Sequence, residues 1–480
     1  MKVSWTVRHV LPIAMCWTTL LIGLPGCGSD DASSDDADTG VDTDAGTESG
    51  TDASADGSTM VAPEPYGDVL TAPQLRWLDN ELLMFAHFGI KTYYVSDNHM
   101  GDGTEDPTRF NPVSFDASQW TEACQAAGFG GVVLTAKHHD GFCNWPTATT
   151  DHDVTASPWR NGAGDVVREV VDAFRAQNMW VGIYLSAYDL HYLDSGASGA
   201  AYSDYFLTQL TELCENYGPL DELWFDGFGA DNMTVDLDHR DQLIRELQPD
   251  SVSFDGSVNP VQWTGNEECV VSEPNRYGTV PYEADCIAQG NWFWNDQPIC
   301  SLARLQELYR TSTARGAVAL INVSPNQDGL IDAASVDRLR EFGDWVREFT
   351  ENDAAFQKSA TADNVRDDDS RFGPAMALDG DAETYWATDD GVHSSAIEVD
   401  LGEDVSIRAA VIQEYLELGQ RVSSHTLYVS TGRGWEEVAS ATTIGHKRVL
   451  EFPPVTTNRV RLELDAEAPI VISNFVVTAE

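Results

Sequence analysis

His87, the adjacent pair His138-His139, Tyr184, Trp224, Asp226, Glu267 and Trp292 are the side chains of this chain whose types could do chemistry together. Carboxylates attack carbon or pass protons, imidazoles and a phenol bind hydroxyls, and indole faces cover apolar ring surfaces; the set describes a sugar pocket. Asp226 ends the apolar run Leu223-Trp224-Phe225. In a barrel of parallel strands a nucleophile stands at such a strand end, whereas the bland reading is an Asp that caps the next turn. Two other chemistries fit less well. Three His offer metal ligands, but no CxxC or HxxxH spacing supports a zinc site, and the pocket is read as metal-free. No G-x-S-x-G elbow is present, so acyl transfer lacks support.

These residues work together only if the elements around them converge on one rim. Apolar runs at 82–89, 131–135, 180–186 and 223–226 alternate with amphipathic helical stretches near 116–127, 164–177, 203–216 and 238–247. A fifth strand is read at 251–254, short sixth and seventh strands at 269–272 and 292–294, a helix at 301–313, an eighth strand at 317–323 and a closing helix at 333–349. That rhythm predicts an α/β chain whose residues 63–353 form a (β/α)₈ TIM-like barrel. An open doubly wound sheet is the alternative, but no GxGxxG follows any strand. From 356 onward the pattern changes to short alternating runs between turn residues, which predicts an antiparallel β-sandwich, a jelly roll, over 354–480.

The chain has 480 residues and a formal net charge of −50, which excludes nucleic acid as a partner because phosphate binding needs Lys and Arg. Much of the acidity lies in one stretch. Between Gly28 and Met60 there is no Lys, Arg, Phe, Trp or Leu, so 28–62 is read as a self-repelling acidic tether with nothing to bury. Before it, Lys2 and Arg8 precede an apolar run at 10–24, too short to span a membrane but suited to a secretory signal. The run closes on Leu24-Pro25-Gly26-Cys27, which resembles the lipobox of bacterial lipoproteins. That implies lipidation of Cys27 in a signal peptide of residues 1–27, membrane contact through the lipid alone, and an exported protein at the periplasm or cell surface; plain secretion is the alternative. Apart from Cys16 and Cys27, Cys124, Cys143, Cys214, Cys269, Cys286 and Cys300 remain, and sequence does not choose among their about 15 complete pairings.

The motifs carry a specific resemblance. Phe85-Ala86-His87-Phe88-Gly89, Leu134-Thr135-Ala136-Lys137-His138-His139-Asp140-Gly141-Phe142, Gly182-Ile183-Tyr184-Leu185-Ser186, Trp224-Phe225-Asp226-Gly227, Trp263-Thr264-Gly265-Asn266-Glu267 and Asn322-Val323-Ser324-Pro325 occur in this order. Together they resemble the α-L-fucosidases of glycoside hydrolase family 29 over residues 75–350, and the Gly-Asn-Glu run resembles the branch that prefers α1-3 or α1-4 linked fucose. The resemblance implies a retaining exo-hydrolase of fucosylated glycans that needs no cofactor for catalysis. Asp226 would be the nucleophile and Glu267 the acid/base, with Glu283 as the alternative; His87, His138, His139, Tyr184, Trp224 and Trp292 would line the fucose site. Glu268, beside Glu267, has no counterpart in the family pattern.

Two departures bear on specificity. Gln289 stands where the family often places a sugar-contacting Arg, and Asn98-His99-Met100 replaces a usual acidic residue and Trp. A glycosidase of the same fold with another sugar or linkage preference, and a fucose-binding lectin without catalysis, are the rival readings. In the C-terminal part, Ala377-Leu378-Asp379-Gly380-Asp381 through Tyr385-Trp386-Ala387-Thr388 resembles F5/8 type C (discoidin-like) domains, which overlap carbohydrate-binding module family 32. That implies a sandwich that either binds glycan or packs on the barrel, with a structural calcium near Asp379 and Asp381.

Overall fold

The computed structural model describes residues 61–95, 100–194, 199–229, 233–265, 267–273 and 275–480. The signal sequence with Cys27, nearly all of the acidic tether, Asn98, His99 and Asn266 lie outside the described residues.

Eight parallel strands close into a barrel in chain order. They are β1 (Leu82–Ala86), β2 (Gly131–Lys137), β3 (Trp180–Ser186), β4 (Glu222–Asp226), β5 (Val252–Phe254), β6 (Pro260–Trp263), β7 (Tyr282–Ile287) and β8 (Val318–Asn322). β1, β2 and β8 are buried along their whole length, as strands covered on both faces must be. Helices start where the sequence supplies a cap. Asp116 accepts from Ser118 N at 2.9 Å to open Ala117–Ala127, and Gly128, at φ 75°, ends it. Asp165 does the same for Val166–Ala176, whose buried Val166, Val167, Val170, Val171 and Phe174 follow the helical period against the sheet.

The fold agrees with the sequence reading except at β6 and β7. The apolar stretches at 269–272 and 292–294 are loops after those strands, and the strands themselves carry Gln262, Glu283 and Asp285. The reason is chemical: the inward face of β7 holds carboxyl groups, so no apolar run marks it. The rhythm of one helix per strand also lapses there. β5 reaches β6 through residues 255–259 alone, with Asp255 and Asn259 in left-handed backbone (φ 53° and 42°), and described residues 264–265, 267–273 and 275–281 join β6 to β7 without a helix.

The C-terminal part is antiparallel. Its strands are β9 (Ser359–Ala362), β10 (Trp386–Ala387), β11 (Ser394–Glu414), β12 (Val422–Thr431), β13 (Gly434–Ala441), β14 (Arg448–Ala466) and β15 (Val471–Ala479), ordered β10-β15-β11-β14-β12-β13 with β9 beside β11. Irregular register between Asp400 and Val405 and between Ile407 and Ala409 lets the long β11 turn across the core, as bulges do. That core gathers Trp386, Ile397, Val399, Leu427, Leu462, Ile472 and Phe475.

Ion pairs and hydrogen bonds tie this domain to the barrel. Glu81 pairs with Lys447, Glu273 with Arg448 at 2.7 Å, and Arg408 with Glu348 at 2.8 Å. The segment preceding the barrel docks on the sandwich as well: Arg366 Nε donates to the Val61 carbonyl at 2.8 Å and Arg421 Nη2 to that of Glu64 at 2.7 Å. Among the described residues no helix is long and apolar enough to cross a membrane.

Candidate active site

Strand alternation places the site. On β4, Glu222, Trp224 and Asp226 share one face, and on β7 Glu283 and Asp285 share another; both faces look into the barrel. The residues nearest the C-terminal ends meet those of the neighbouring strands. One pocket is lined by Phe85, His87, His138, His139, Tyr184, Trp224, Asp226, Glu267, Asp285 and Trp292. Every site residue expected from the sequence is among them except the alternative acid/base, Glu283.

Asp226 accepts from Tyr184 Oη at 2.9 Å, and His139 Nε2 lies 3.4 Å from the same oxygen. Burial alone would raise its pKa, but the His139 contact and the Tyr184 hydroxyl prevail and hold the carboxyl below its ordinary range. His139 is fixed in turn. Its Nδ1 lies 2.7 Å from Ser186 Oγ, and because that hydroxyl gives its own proton to the Tyr188 carbonyl at 2.7 Å, Nδ1 is the donor. The same logic sets His87: Asn322 Nδ2 donates to the Trp292 carbonyl at 2.8 Å, so Asn322 Oδ1 accepts from His87 Nδ1 at 2.8 Å.

Successive residues of a strand face opposite sides, yet both His138 and His139 reach the pocket. They follow the end of β2, just beyond an irregularity of its register with β3 between Thr135 and Lys137. Their charged neighbours turn away. Lys137 is fully buried and binds Asp189 at 2.9 Å and Gln209 at 2.8 Å, while Asp140 accepts from Phe142 N at 2.8 Å and burial pushes its carboxyl up to about 8. The apolar wall is aromatic throughout. Phe85 lies within 5.8 Å, centroid to centroid, of Tyr184, Trp224 and Trp292, and Trp224 is stacked between Tyr184 at 5.1 Å and Phe254 at 3.9 Å.

Two acidic residues face Asp226 across the pocket. Glu267 follows β6 in left-handed backbone (φ 62°), and partial burial together with the charge of Asp226 raises its pKa. Asp285 is more enclosed. Burial lifts it to about 6 although Trp263 Nε1 donates to its Oδ1 at 2.5 Å. Asp285 is not among the residues expected from the sequence; its spacing of two from Glu283, which puts both on one face of β7, is the signal that points to it.

Glu283 lies deeper, fully buried inside the barrel. Its Oε2 accepts from Trp224 Nε1 at 3.1 Å, and beside it Glu222 Oε2 accepts from Trp77 Nε1 at 3.1 Å and Trp180 Nε1 at 3.4 Å. No N–H reaches the remaining Oε1 atoms. Burial raises both carboxyls, Glu222 to about 7 and Glu283 well beyond the carboxylate range, with the neighbouring Glu222 charge adding to the rise of Glu283.

Gln289 does not line the pocket. It is buried, its Oε1 accepts from Ser324 N at 3.1 Å, and its Nε2 donates to the Gln297 carbonyl at 3.4 Å, so it braces the loop that carries Trp292 against the segment that follows β8. In the sandwich, Asp379 accepts from Asp381 N at 3.0 Å and Thr384 Oγ1 at 2.8 Å, and Asp381 from Glu383 N at 3.0 Å. These hydrogen bonds close the turn on its own carboxylates; among the described residues no group of three or more His, Cys, Asp or Glu suited to a metal occurs.

Known proteins resemble the chain over both domains. The Alpha-L-fucosidase family model matches residues 79–351 and the F5/8 type C domain model residues 357–473. Alpha-L-fucosidase 1 of Arabidopsis thaliana is 35% identical over 84% of this chain and 86% of its own. Among solved structures, a Ruminococcus gnavus fucosidase in complex with fucose superposes with a TM-score of 0.82 at 26% identity, covering 88% of this chain and 96% of that one. The crystal structure of SpGH29 gives 0.80 at 32% identity, over 86% and 99%. A pocket of carboxylates, imidazoles and aromatic planes at the C-terminal mouth of a parallel barrel, matched across two domains, places the chain in the α-L-fucosidase family of glycoside hydrolases.

Proposed function

We propose that the protein removes terminal α-L-fucose, α1-3 or α1-4 linked, from branched glycans with net retention of configuration. The observation that carries this reading is the pairing of Asp226, held below its ordinary pKa, with Glu267, raised above its own, in one pocket. Two carboxyls pushed apart in acidity are what a retaining glycosidase uses, at about 5 Å separation.

In the first step Asp226 attacks the anomeric carbon and the bond to the leaving oxygen breaks, while Glu267 gives that oxygen its proton. In the second, Glu267 takes a proton from water, the water oxygen attacks the same carbon, and the ester to Asp226 breaks to release fucose. His87, His138, His139 and Tyr184 bind the sugar hydroxyls, and Trp224 and Trp292 cover the apolar face. No cofactor is required. Asp285 is a second candidate for the acid because its pKa lies near 6, but Glu267 is the more open of the two and has room for a leaving glycan. Against Glu283 stand its full burial and its bond from Trp224 Nε1, which keep it out of the pocket lining.

Hydrolysis of a 4-nitrophenyl α-L-fucoside and of a Lewis-type trisaccharide, with azide rescue of Glu267→Ala and of Asp285→Ala, tests the assignment. Rescue of Asp285→Ala alone would transfer the acid/base role. Failure of wild type on both substrates would end the reading.

We also propose export and lipidation at Cys27, with residues 28–62 as the tether. Incorporation of labelled palmitate that survives Cys27→Ser would refute the anchor.

A further inference from the structure

We propose that the disulfide between Cys269 and Cys286 is a positioning device for Glu267: it pins the loop after β6 to β7, so that the carboxyl meets the leaving oxygen. The inference rests on the reading of Glu267 as the acid/base.

The loop would not hold its shape unaided. It turns at Gly265, at φ 94°, where an added Cβ would meet Val270 N at 2.7 Å. Glu267 and Cys269 both adopt left-handed backbone (φ 62° and 52°), a conformation disfavoured for side chains other than glycine. Something outside the loop must impose that path.

The contacts that impose it converge on Cys269, two residues beyond Glu267. Cys269 is bonded to Cys286 across a Cα–Cα distance of 5.3 Å, and both residues are buried. Glu268 forms an antiparallel bridge with Cys286, Cys269 N donates to the Asp285 carbonyl at 3.3 Å, and Thr311 Oγ1 donates to the Cys269 carbonyl at 2.7 Å. Cys286 directly follows Asp285, whose side chain lines the pocket. One covalent bond therefore joins the backbone that carries Glu267 to the strand that carries its neighbour across the pocket. Cys124, Cys143, Cys214 and Cys300 remain thiols, so among the described residues this loop alone is cross-linked.

A stabilising disulfide acts chiefly on the unfolded chain and changes melting temperature. A positioning one changes the chemistry, and does so only where acid assistance matters. The test compares kcat/KM of wild type, Cys269→Ala/Cys286→Ala and Glu267→Ala on a Lewis-type trisaccharide, whose leaving oxygen needs a proton, and on a 2,4-dinitrophenyl fucoside, whose leaving group does not. The double variant is expected to lose roughly 10- to 100-fold on the trisaccharide and less than about threefold on the activated substrate, as a misplaced acid would. Gly265→Ala, which disturbs the same loop and leaves the disulfide intact, is expected to show the same asymmetry and serves if the double variant does not fold. A fall in melting temperature with both substrates unaffected, or an equal loss on both, overturns the proposal. If Glu267→Ala itself keeps full activity on the trisaccharide, the acid/base reading fails instead, and the two failures are distinguished.

Discussion

Two sets of carboxyl groups occupy one barrel and behave in opposite ways. Glu222 and Glu283 lie deep among Trp77, Trp180 and Trp224, which meet them with indole N–H groups. Asp226, Glu267 and Asp285 stand at the mouth, where an imidazole, a phenol and access to solvent meet them. Glu222 and Asp226 belong to the same face of the same strand. A sealed carboxyl pair lowers its cost by keeping a proton, whereas a carboxyl beside His139 and Tyr184 gives its proton up. Trp224 belongs to both sets: its N–H is committed below and its ring lines the pocket above.

Removing the mouth nucleophile is the sharpest way to separate the two sets. Asp226→Ala should lower kcat by about 10⁴-fold or more, as loss of a nucleophile does elsewhere, while Glu283→Gln, which keeps a neutral acceptor for Trp224, should lower it less than about tenfold; steady-state kinetics on the aryl fucoside decides. The pH profile comes next. With Asp226 lowered and Glu267 raised, kcat/KM should be bell-shaped, its acid limb below the usual Asp range and its basic limb above the usual Glu range, and Glu267→Gln should erase the basic limb.

The deep pair should appear in stability instead. Glu222 binds its proton more tightly folded than unfolded, with a pKa of about 7 against 4.5. Its contribution is therefore whole below about pH 4.5 and is lost as pH rises toward about 7. Glu222→Gln should flatten the decline of melting temperature across that window; an unchanged slope would contradict the raised pKa of Glu222. The smallest expected effect is that of Trp77→Phe. It deprives Glu222 of one buried donor and should cost about 1–3 kcal/mol in denaturant unfolding, with kcat within about twofold of wild type.

The same comparison explains what could be read from the sequence. β1 to β4 and β8 announce themselves because their residues are apolar and both faces are covered, and His87, His139, Tyr184 and Asp226 stand at the ends of those legible strands. β7 escapes the sequence reading because the barrel turns Glu283 and Asp285 inward, which erases the apolar signature, and β6 because it is four residues long with Gln262 and Trp263 exposed. Nothing in residue types alone separates Glu267 from Glu283. The distinction is one of depth, set by where each strand ends. Nor could spacing choose Cys269–Cys286 among the pairings, since its partners meet only through the register of β7.

The docking of residues 61–66 has a consequence for the order in which the molecule is completed. Arg366 and Arg421, which donate to the carbonyls of Val61 and Glu64, belong to the domain synthesised after the barrel. As the chain emerges from its N-terminus, the barrel can close while this short segment still waits for its seat. The first described residues are therefore among the last to settle, and a chain cut short after the barrel would leave them with nowhere to go.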